Sequence, residues 1–430
     1  MAFTSHPLRR RVVEEMHLRR FPALAGPTRI VQIVRLTDMA ARAPLPPVPA
    51  RFRPVRDGAG RHWAFEAPDG ATLLVEAHSE ATTATMIVPG LATDGAAQGA
   101  NGPFSDATPA DGLAWLESLP GLVVRATRAM LVADEAAAAP VLAQAGFAAD
   151  ELVCCDIGGG IRLWSDFRLH ADGYGRLAIA ANGAEPGDLG RIVQRLQELG
   201  NYRNMALLGL PVAQEQGRRM TELEDRLAAL ARQVAAAGDD DESALEQLSA
   251  LSAEIARITA DSGFRMSATA AYARIAAERL AILAVQPLPG HQSLKDFTER
   301  RLTPAVRTCA SFSARLETLA SRTARVTALL RTRIETRIER QNRDLLQSME
   351  RSIAFQLRLQ HLVEGLSVLA VSYYAIGLAG YMARGVERVA HGFDHDLWLA
   401  LAVPPVVAAM VLLIRYRRIR ITADDGTEHL

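Results

Sequence analysis

A chain of 430 residues, 49% hydrophobic and 22% charged, has ample material for a buried core and needs no disulfide staples. Its 48 Lys and Arg residues balance 48 Asp and Glu, so a formal net charge of zero gives nucleic acid no electrostatic footprint to follow. Three cysteines, two of them adjacent as Cys154 and Cys155, supply neither a disulfide framework nor a metal-ligand spacing, and read as buried strand thiols in a reducing cytoplasm.

The start, MAFTSHPLRRRVVEEMHLRRFP, is charged throughout and has no apolar run of signal-peptide length, so the bulk of the protein is expected to stay inside the cell. Residues 1–55 read as an arm and a Pro-rich linker, because the prolines of APLPPVPARFRP favour extended chain. Residues 56–185 read as a cytoplasmic α+β domain of mostly antiparallel sheet. HWAFEAPDGATLLVEAHSEATTATMIVPG predicts three short strands, broken by the turn signal Pro68-Asp69-Gly70 and ended by Pro89-Gly90. DGLAWLESLP predicts a helix, RAMLVAD a strand, and the alanine-rich stretch after Asp134 a second helix. ELVCCDI, GIRLWSDFRLH and GRLAIAA then predict three more strands. The run Gly158-Gly159-Gly160 leads into a strand, whereas a phosphate loop needs a helix N-terminus, so nucleotide binding is not expected there.

From residue 186 helices take over. Residues 186–290 predict a helical hairpin region, with GDDDE at 238–242 as the break between its arms. Residues 291–364 predict a long stalk helix beginning near Pro304. Its apolar or small positions include Phe312, Leu316, Leu319, Val326, Leu330, Ile334, Ile338, Leu345, Met349, Ile353 and Leu357. Allowing for two polar gaps, their mean spacing of roughly 3.7 residues lies near an 11-residue repeat. Arginine and glutamate alternate between them, as in RTRIETRIERQNRD, which reads as a solvated coiled-coil face.

Residues 365–383 (GLSVLAVSYYAIGLAGYMA) and 397–414 (LWLALAVPPVVAAMVLLI) carry no charge. Each meets the length needed to cross a hydrocarbon core of about 30 Å, and they predict a transmembrane hairpin with an outer loop at 384–396 and a basic tail at 415–430. Arg351, Arg358, Arg415, Arg417, Arg418 and Arg420 flank its outer limits against Arg384 and Arg388 in the loop. Both termini are therefore expected in the cytoplasm of a bacterial inner-membrane protein, with the lipid bilayer as its environment. Small and hydroxylated residues of the first span, Ser372, Tyr374, Gly377, Gly380 and Tyr381, suit helix association or a narrow pore.

HPLRRRVVEEMHLRRFP, RLWSDFRLHADGYGRL, LGRIVQRLQELGNYRNMALLGLP and the C-terminal hairpin resemble a bacterial family of membrane-anchored proteins, the domain of unknown function 3422. The resemblance covers most of the chain, implies membrane anchorage and brings no catalytic residue. The order of parts is also similar to CorA-type magnesium channels, pentamers whose first span lines the pore. In that family a tyrosine-glycine-methionine-asparagine signature closes the first span. The corresponding GLAGYMARG has Gly380, Tyr381 and Met382, lacks the asparagine, and puts Arg384 at the outer mouth.

Two polar clusters are candidate sites. In the outer loop His391, Asp394, His395 and Asp396 carry metal-ligand chemistry, or are simply solvated. On the predicted strand through IRLWSDFRLHAD, alternation puts Arg162, Trp164, Asp166, Arg168, His170 and Asp172 on one face. Glu76, His78 and Glu80 form a similar face that could pair with it. Ion pairing, a small-anion site and a metal site all fit this pattern, with ion pairing favoured. No set of nucleophile, base and oxyanion donors can be assembled, so an enzyme is not expected, and no cofactor is expected beyond a divalent cation as candidate passenger. The leading expectation is a homo-oligomeric, CorA-like membrane protein for ion or small-solute passage with a cytoplasmic sensor domain. A non-conducting membrane-anchored scaffold for a protein partner is the alternative, and a membrane-bound enzyme using Asp166, His170 and Asp172 the third.

Overall fold

Nine residues inside the expected N-terminal arm, TRIVQIVRL, form a central strand of the sheet, β1 (Thr28–Leu36). The arm reading is corrected here. Five of the nine are β-branched, and the side chains of Ile30, Val31, Ile33 and Val34 are all fully buried. The structure is a computed structural model and describes residues 5–15, 21–37, 45–56, 61–90, 104, 110–236, 240–387 and 395–424. A short helix, α1 (Arg9–Glu15), precedes β1.

The remaining strands are β2 (Arg53–Arg56), β3 (His62–Glu66), β4 (Thr72–Ala77), β5 (Ala81–Pro89), β6 (Leu122–Val132), β7 (Val153–Ile157), β8 (Ile161–Ser165), β9 (Gly175–Ala180) and β10 (Gln286–Pro287). Among the described residues they make one ten-stranded sheet in the order β10-β7-β8-β9-β6-β1-β5-β4-β3-β2. Every neighbouring pair is antiparallel except β6 and β9, whose register sets Thr127 opposite Gly175 and Val132 opposite Ala180. Gly158, at φ +54°, makes the β7–β8 turn, and a Cβ there would lie 2.5 Å from the Ile192 side chain.

Both faces of the sheet are covered. Alternation along β1 and β6 sends Ile30, Ala129 and Leu131 to one face and Val31, Ile33, Met130 and Val132 to the other. The second face receives α2 (Ala110–Ser118) and α3 (Glu135–Gln144), the latter capped by Asp134, whose Oδ1 accepts from the Ala137 amide at 2.9 Å. The first face receives α4 (Pro186–Leu207), which also packs on α5 (Gly209–Ala235) and α6 (Asp241–Ile282). The α5–α6 hairpin is clamped by Glu254, which accepts from Arg219 Nε at 2.8 Å and Arg226 Nη1 at 3.1 Å.

The last long helix, α7 (Leu294–Glu387), starts ten residues before Pro304. Its cap explains the start: Ser293 Oγ accepts from the Asp296 amide at 3.1 Å and donates to Asp296 Oδ2 at 2.7 Å. Pro304 is tolerated inside the helix. Leu283, Leu294 and Leu302 sit in the same apolar cluster as Ile30, Leu131 and Ile179. The chain divides into two compact units, Met1–Ala328 and Leu329–Leu430. The second unit holds the rest of α7 and α8 (His395–Asp424). These two helices are long and apolar enough, by length and composition, to cross a membrane. Helix α7 continues to Glu387 and α8 starts at His395, so both extend into the expected 384–396 loop.

Candidate functional site

Between the sheet and α4 the apolar core gives way to a polar layer. On β6 the face toward α4 reads Arg125, Thr127, Ala129, Leu131, so its first two positions are polar and the next two apolar. Gln32 of β1 and Thr83 and Thr85 of β5 extend the polar patch across the sheet. Helix α4 answers with Gln197 and Asn201. Arg125 Nη1 donates to Gln32 Oε1 at 2.9 Å and to Asn201 Oδ1 at 2.7 Å. Gln32 Nε2 passes a bond on to Thr85 Oγ1 at 3.0 Å, and Thr127 Oγ1 donates to Gln197 Oε1 at 3.3 Å.

Gly200 makes room for this arrangement. A Cβ at that position would lie 2.7 Å from Arg125 Cζ and Nη2 and 2.8 Å from Nε. One turn further along α4, Arg203 is also buried. Its guanidinium lies 4.6 Å from the centre of the Phe167 ring and 5.3 Å from that of Phe297, and those two rings stack at 4.5 Å. Arg203 Nη1 is enclosed with no hydrogen-bond acceptor. Among the described residues neither arginine faces a carboxylate. Burial, with the nearby charge of Arg203, pushes Arg125 down to about 9, and burial alone pushes Arg203 down to about 10.

A cavity of about 120 Å³ adjoins the layer, with Gln32, Thr83, Thr85, Gln197, Asn201 and Tyr202 in its wall. Two carboxylates also line it, each occupied. Glu198 accepts from Arg279 Nε at 2.5 Å and Gln194 Nε2 at 3.1 Å, and Glu76 Oε2 stands 3.7 Å from His78 Nε2.

The structure corrects the predicted polar strand face. Strand β8 ends at Ser165, because Ser165 Oγ accepts from the Phe167 amide at 3.1 Å and Asp166 Oδ1 accepts from the Arg168 amide at 3.1 Å. Phe167 turns into the left-handed region at φ +50°, and strand alternation stops there. Asp166 is almost fully buried. Its Oδ2 accepts from the Ala148 amide at 3.3 Å, and its Oδ1 stands 3.3 Å from His170 Nε2. Asp172 accepts from the Tyr174 amide at 3.2 Å and lies 3.8 Å from Arg128 Nη1 and 3.5 Å from Arg176 Nη2. Arg168 pairs with Glu151 at 2.8 Å. The expected pairing with Glu76, His78 and Glu80 does not form, because four strands separate β4 from β8 in the sheet. Glu80 instead receives both Nη1 and Nη2 of Arg265, at 3.2 and 3.0 Å.

In the second unit the small residues of the first span divide between two faces. Ser372 and Gly380 are buried and Ile376 is half-buried, on a four-residue stripe that starts at Val368. The matching half-buried stripe of α8 is Ala402, Val406 and Met410. Tyr374, Gly377 and Tyr381 lie on the exposed side, with Arg384 over the Tyr381 ring at 5.6 Å. Of the loop cluster, His391 and Asp394 lie outside the described residues, and His395 and Asp396 open α8. No group of three or more His, Cys, Asp or Glu able to hold a metal occurs among the described residues.

A family model described as protein of unknown function (DUF3422) matches residues 4–421. The chain belongs to this family. No curated protein matches it, and no solved structure does either. The segment LGRIVQRLQELGNYRNMALLGLP, one of those resembling the family, spans α4 and the start of α5, and its glycines mark close approaches. Beside Gly200 at Arg125, a Cβ on Gly190 would meet the Pro22 carbonyl at 2.3 Å, and one on Gly209 the Thr269 hydroxyl at 2.2 Å. Arg125 and Arg203 escaped the sequence reading. Their only signal is a charge at an inward position of an otherwise apolar pattern.

Proposed function

We propose that this protein is a two-span membrane protein that self-associates through α7 and holds its sheet domain and both termini on the cytoplasmic side of the bacterial inner membrane. The observation that carries this reading is the exposure of apolar side chains along α7 and α8. Leu366, Leu369, Val371, Leu378, Leu397, Leu401 and Leu412 all lie open, in runs that a bilayer accommodates and water does not. The arginine asymmetry around the spans supplies the orientation. Ahead of the first span, Ile338, Leu345, Met349, Ile353 and Leu357 are exposed along a charged helix, and a second copy in a coiled-coil contact would cover them.

A second reading, cation passage in the manner of CorA-type channels, is favoured by one observation. The exposed face of the first span carries Tyr374, Gly377 and Tyr381, which offer hydroxyl and backbone oxygens to a central path in an oligomer. Light scattering on detergent-purified protein, followed by cation flux in liposomes with and without Gly377→Leu, tests both readings. A ring-sized oligomer whose flux is abolished by Gly377→Leu supports passage. A smaller oligomer without flux leaves the anchored, self-associating protein, and a monomer that partitions into the soluble fraction overturns the proposal.

A further inference from the structure

Asn201, Gln197 and Thr83 line the cavity between the sheet and α4, and each brings to it a polar group that no other described residue engages. Arg125 has donors only, so its bond to Asn201 Oδ1 fixes which way that amide is turned and leaves Nδ2 as the end without an acceptor. Gln197, 2% exposed, uses Oε1 on the Thr127 hydroxyl, and its Nε2 likewise has no acceptor among the described residues. Thr83, 7% exposed, makes no hydrogen bond through its hydroxyl. Buried polar groups are almost always partnered, and three around one cavity call for a guest that carries oxygen.

The wall also says what charge the guest carries. Glu76 and Glu198 stand against an anion, and each already has a basic side chain beside it, so neither is left to draw a cation. A cation would moreover meet the amide N–H groups of Asn201 and Gln197. A neutral guest fits both constraints. Carboxylates have about four lone-pair sites, so Glu76 and Glu198 still accept from a guest that donates, which favours hydroxyls over carbonyls. Phe21, Leu74 and the stacked rings of Tyr202 and Tyr272, with centres 5.9 Å apart, face the C–H side of such a molecule with an apolar surface. The cavity holds about 120 Å³. At about 30 Å³ per water that is the volume of about four waters, enough for a molecule the size of glycerol and too little for a disaccharide. We propose that this cavity binds a small uncharged polyol, held by Asn201 Nδ2, Gln197 Nε2 and the Thr83 hydroxyl.

The experiment is equilibrium dialysis of the full-length protein in detergent against radiolabelled glycerol, with detergent alone as the blank and unlabelled erythritol or sucrose as competitor. The expected result is saturable uptake of a single glycerol per chain, displaced by erythritol and not by sucrose. Thr83→Val supplies the second measurement. It keeps the shape of the side chain and removes a hydroxyl that the protein itself does not use, so Tm without polyol should hold or rise. Glycerol binding should weaken by roughly tenfold, the factor expected for one lost hydrogen bond. Wild-type protein without saturable uptake overturns the proposal and leaves the cavity to water. A Thr83→Val variant that binds as wild type overturns it too, as does a fall in that variant's Tm, which would give the hydroxyl a structural partner. These outcomes are independent of membrane topology and oligomeric state, so failure here leaves the membrane reading untouched.

Discussion

Replacing Gly200 by alanine is a severe test of the polar layer. On general grounds the substitution should help, since alanine is favoured over glycine inside a helix by about 1 kcal/mol. Here the new methyl would lie 2.7 Å from Arg125 Cζ and Nη2, so the guanidinium must shift, and this shift is expected to take Nη1 off Gln32 and Asn201. Two hydrogen bonds from a charged donor are then broken, at roughly 1.5–3 kcal/mol each, and after the propensity gain the net loss is roughly 2–5 kcal/mol. The control is Gly217→Ala in α5, where a Cβ meets nothing within 4 Å and the full gain of about 1 kcal/mol should appear. Urea unfolding followed by tryptophan fluorescence reads both, since Trp63, Trp115 and Trp164 lie in the sheet domain. A double variant with Arg125→Met should show a much smaller Gly200→Ala penalty, because the clash partner is then flexible and uncharged. If Gly200→Ala stabilises the protein as Gly217→Ala does, the reasoning from Arg125 fails.

Glu254 offers a pH test with a defined sign. Its bond from Arg219, and then the one from Arg226, hold its carboxyl below the ordinary carboxylate range. A carboxyl whose folded value is depressed binds fewer protons in the folded state. Its stabilisation is therefore present above the unfolded carboxylate pKa and is lost as pH falls through the lowered folded value. Wild type should exceed Glu254→Gln by at most about 1 kcal/mol at neutral pH, and the gap should close below about pH 4, as read by thermal unfolding across that range. A gap that persists unchanged at pH 3 refutes the ionic clamp. Burial pushes the Cys154 thiol up to about 11 and raises Cys155 and Cys309 as well. Maleimide should accordingly label none of the three at pH 7 until the domain is unfolded, and rapid labelling of the native protein would contradict the packing of β7 around Cys154 and Cys155 or of α7 around Cys309.

The strands from His62 to Pro89 were legible because their turns carry their own chemistry: Asp69 sits in a reverse turn, Gly70 takes φ +80° and Gly90 takes φ +74°. Helices α4 to α6 were legible from periodicity, and the two apolar spans from the absence of charge. Strand β1 was hidden by its own polar residues. Arg29, Gln32 and Arg35 interrupt what is otherwise a β-branched run, and only the finished sheet shows that Gln32 and Arg35 are buried with partners of their own. Alternation overran the end of β8 because Asp166 looks like any outward strand residue until its carboxylate is seen capturing the backbone amide two residues on. The buried arginines were the least legible feature. Periodicity assigns a residue to a face, but the absence of a countercharge is a property of everything packed against that face, gathered here from β1, β6 and α4.

The placement of Leu283, Leu294 and Leu302 in the core beside Ile30 has a consequence for biosynthesis. A ribosome that has released the last long strand, β9, has delivered nearly the whole sheet, yet one face of that sheet still exposes Leu163, Leu177 and Ile179. The chain must be extended by more than a hundred residues, through α4, α5 and α6, before the first turns of α7 close the core. Domains tend to fold as units during synthesis, and here completion falls shortly before the apolar stretch of the same helix emerges. Folding of the sheet domain and emergence of that apolar stretch are thus consecutive events on one helix, and a truncation that ends at residue 185 removes the cover from a core that its own strands have already built.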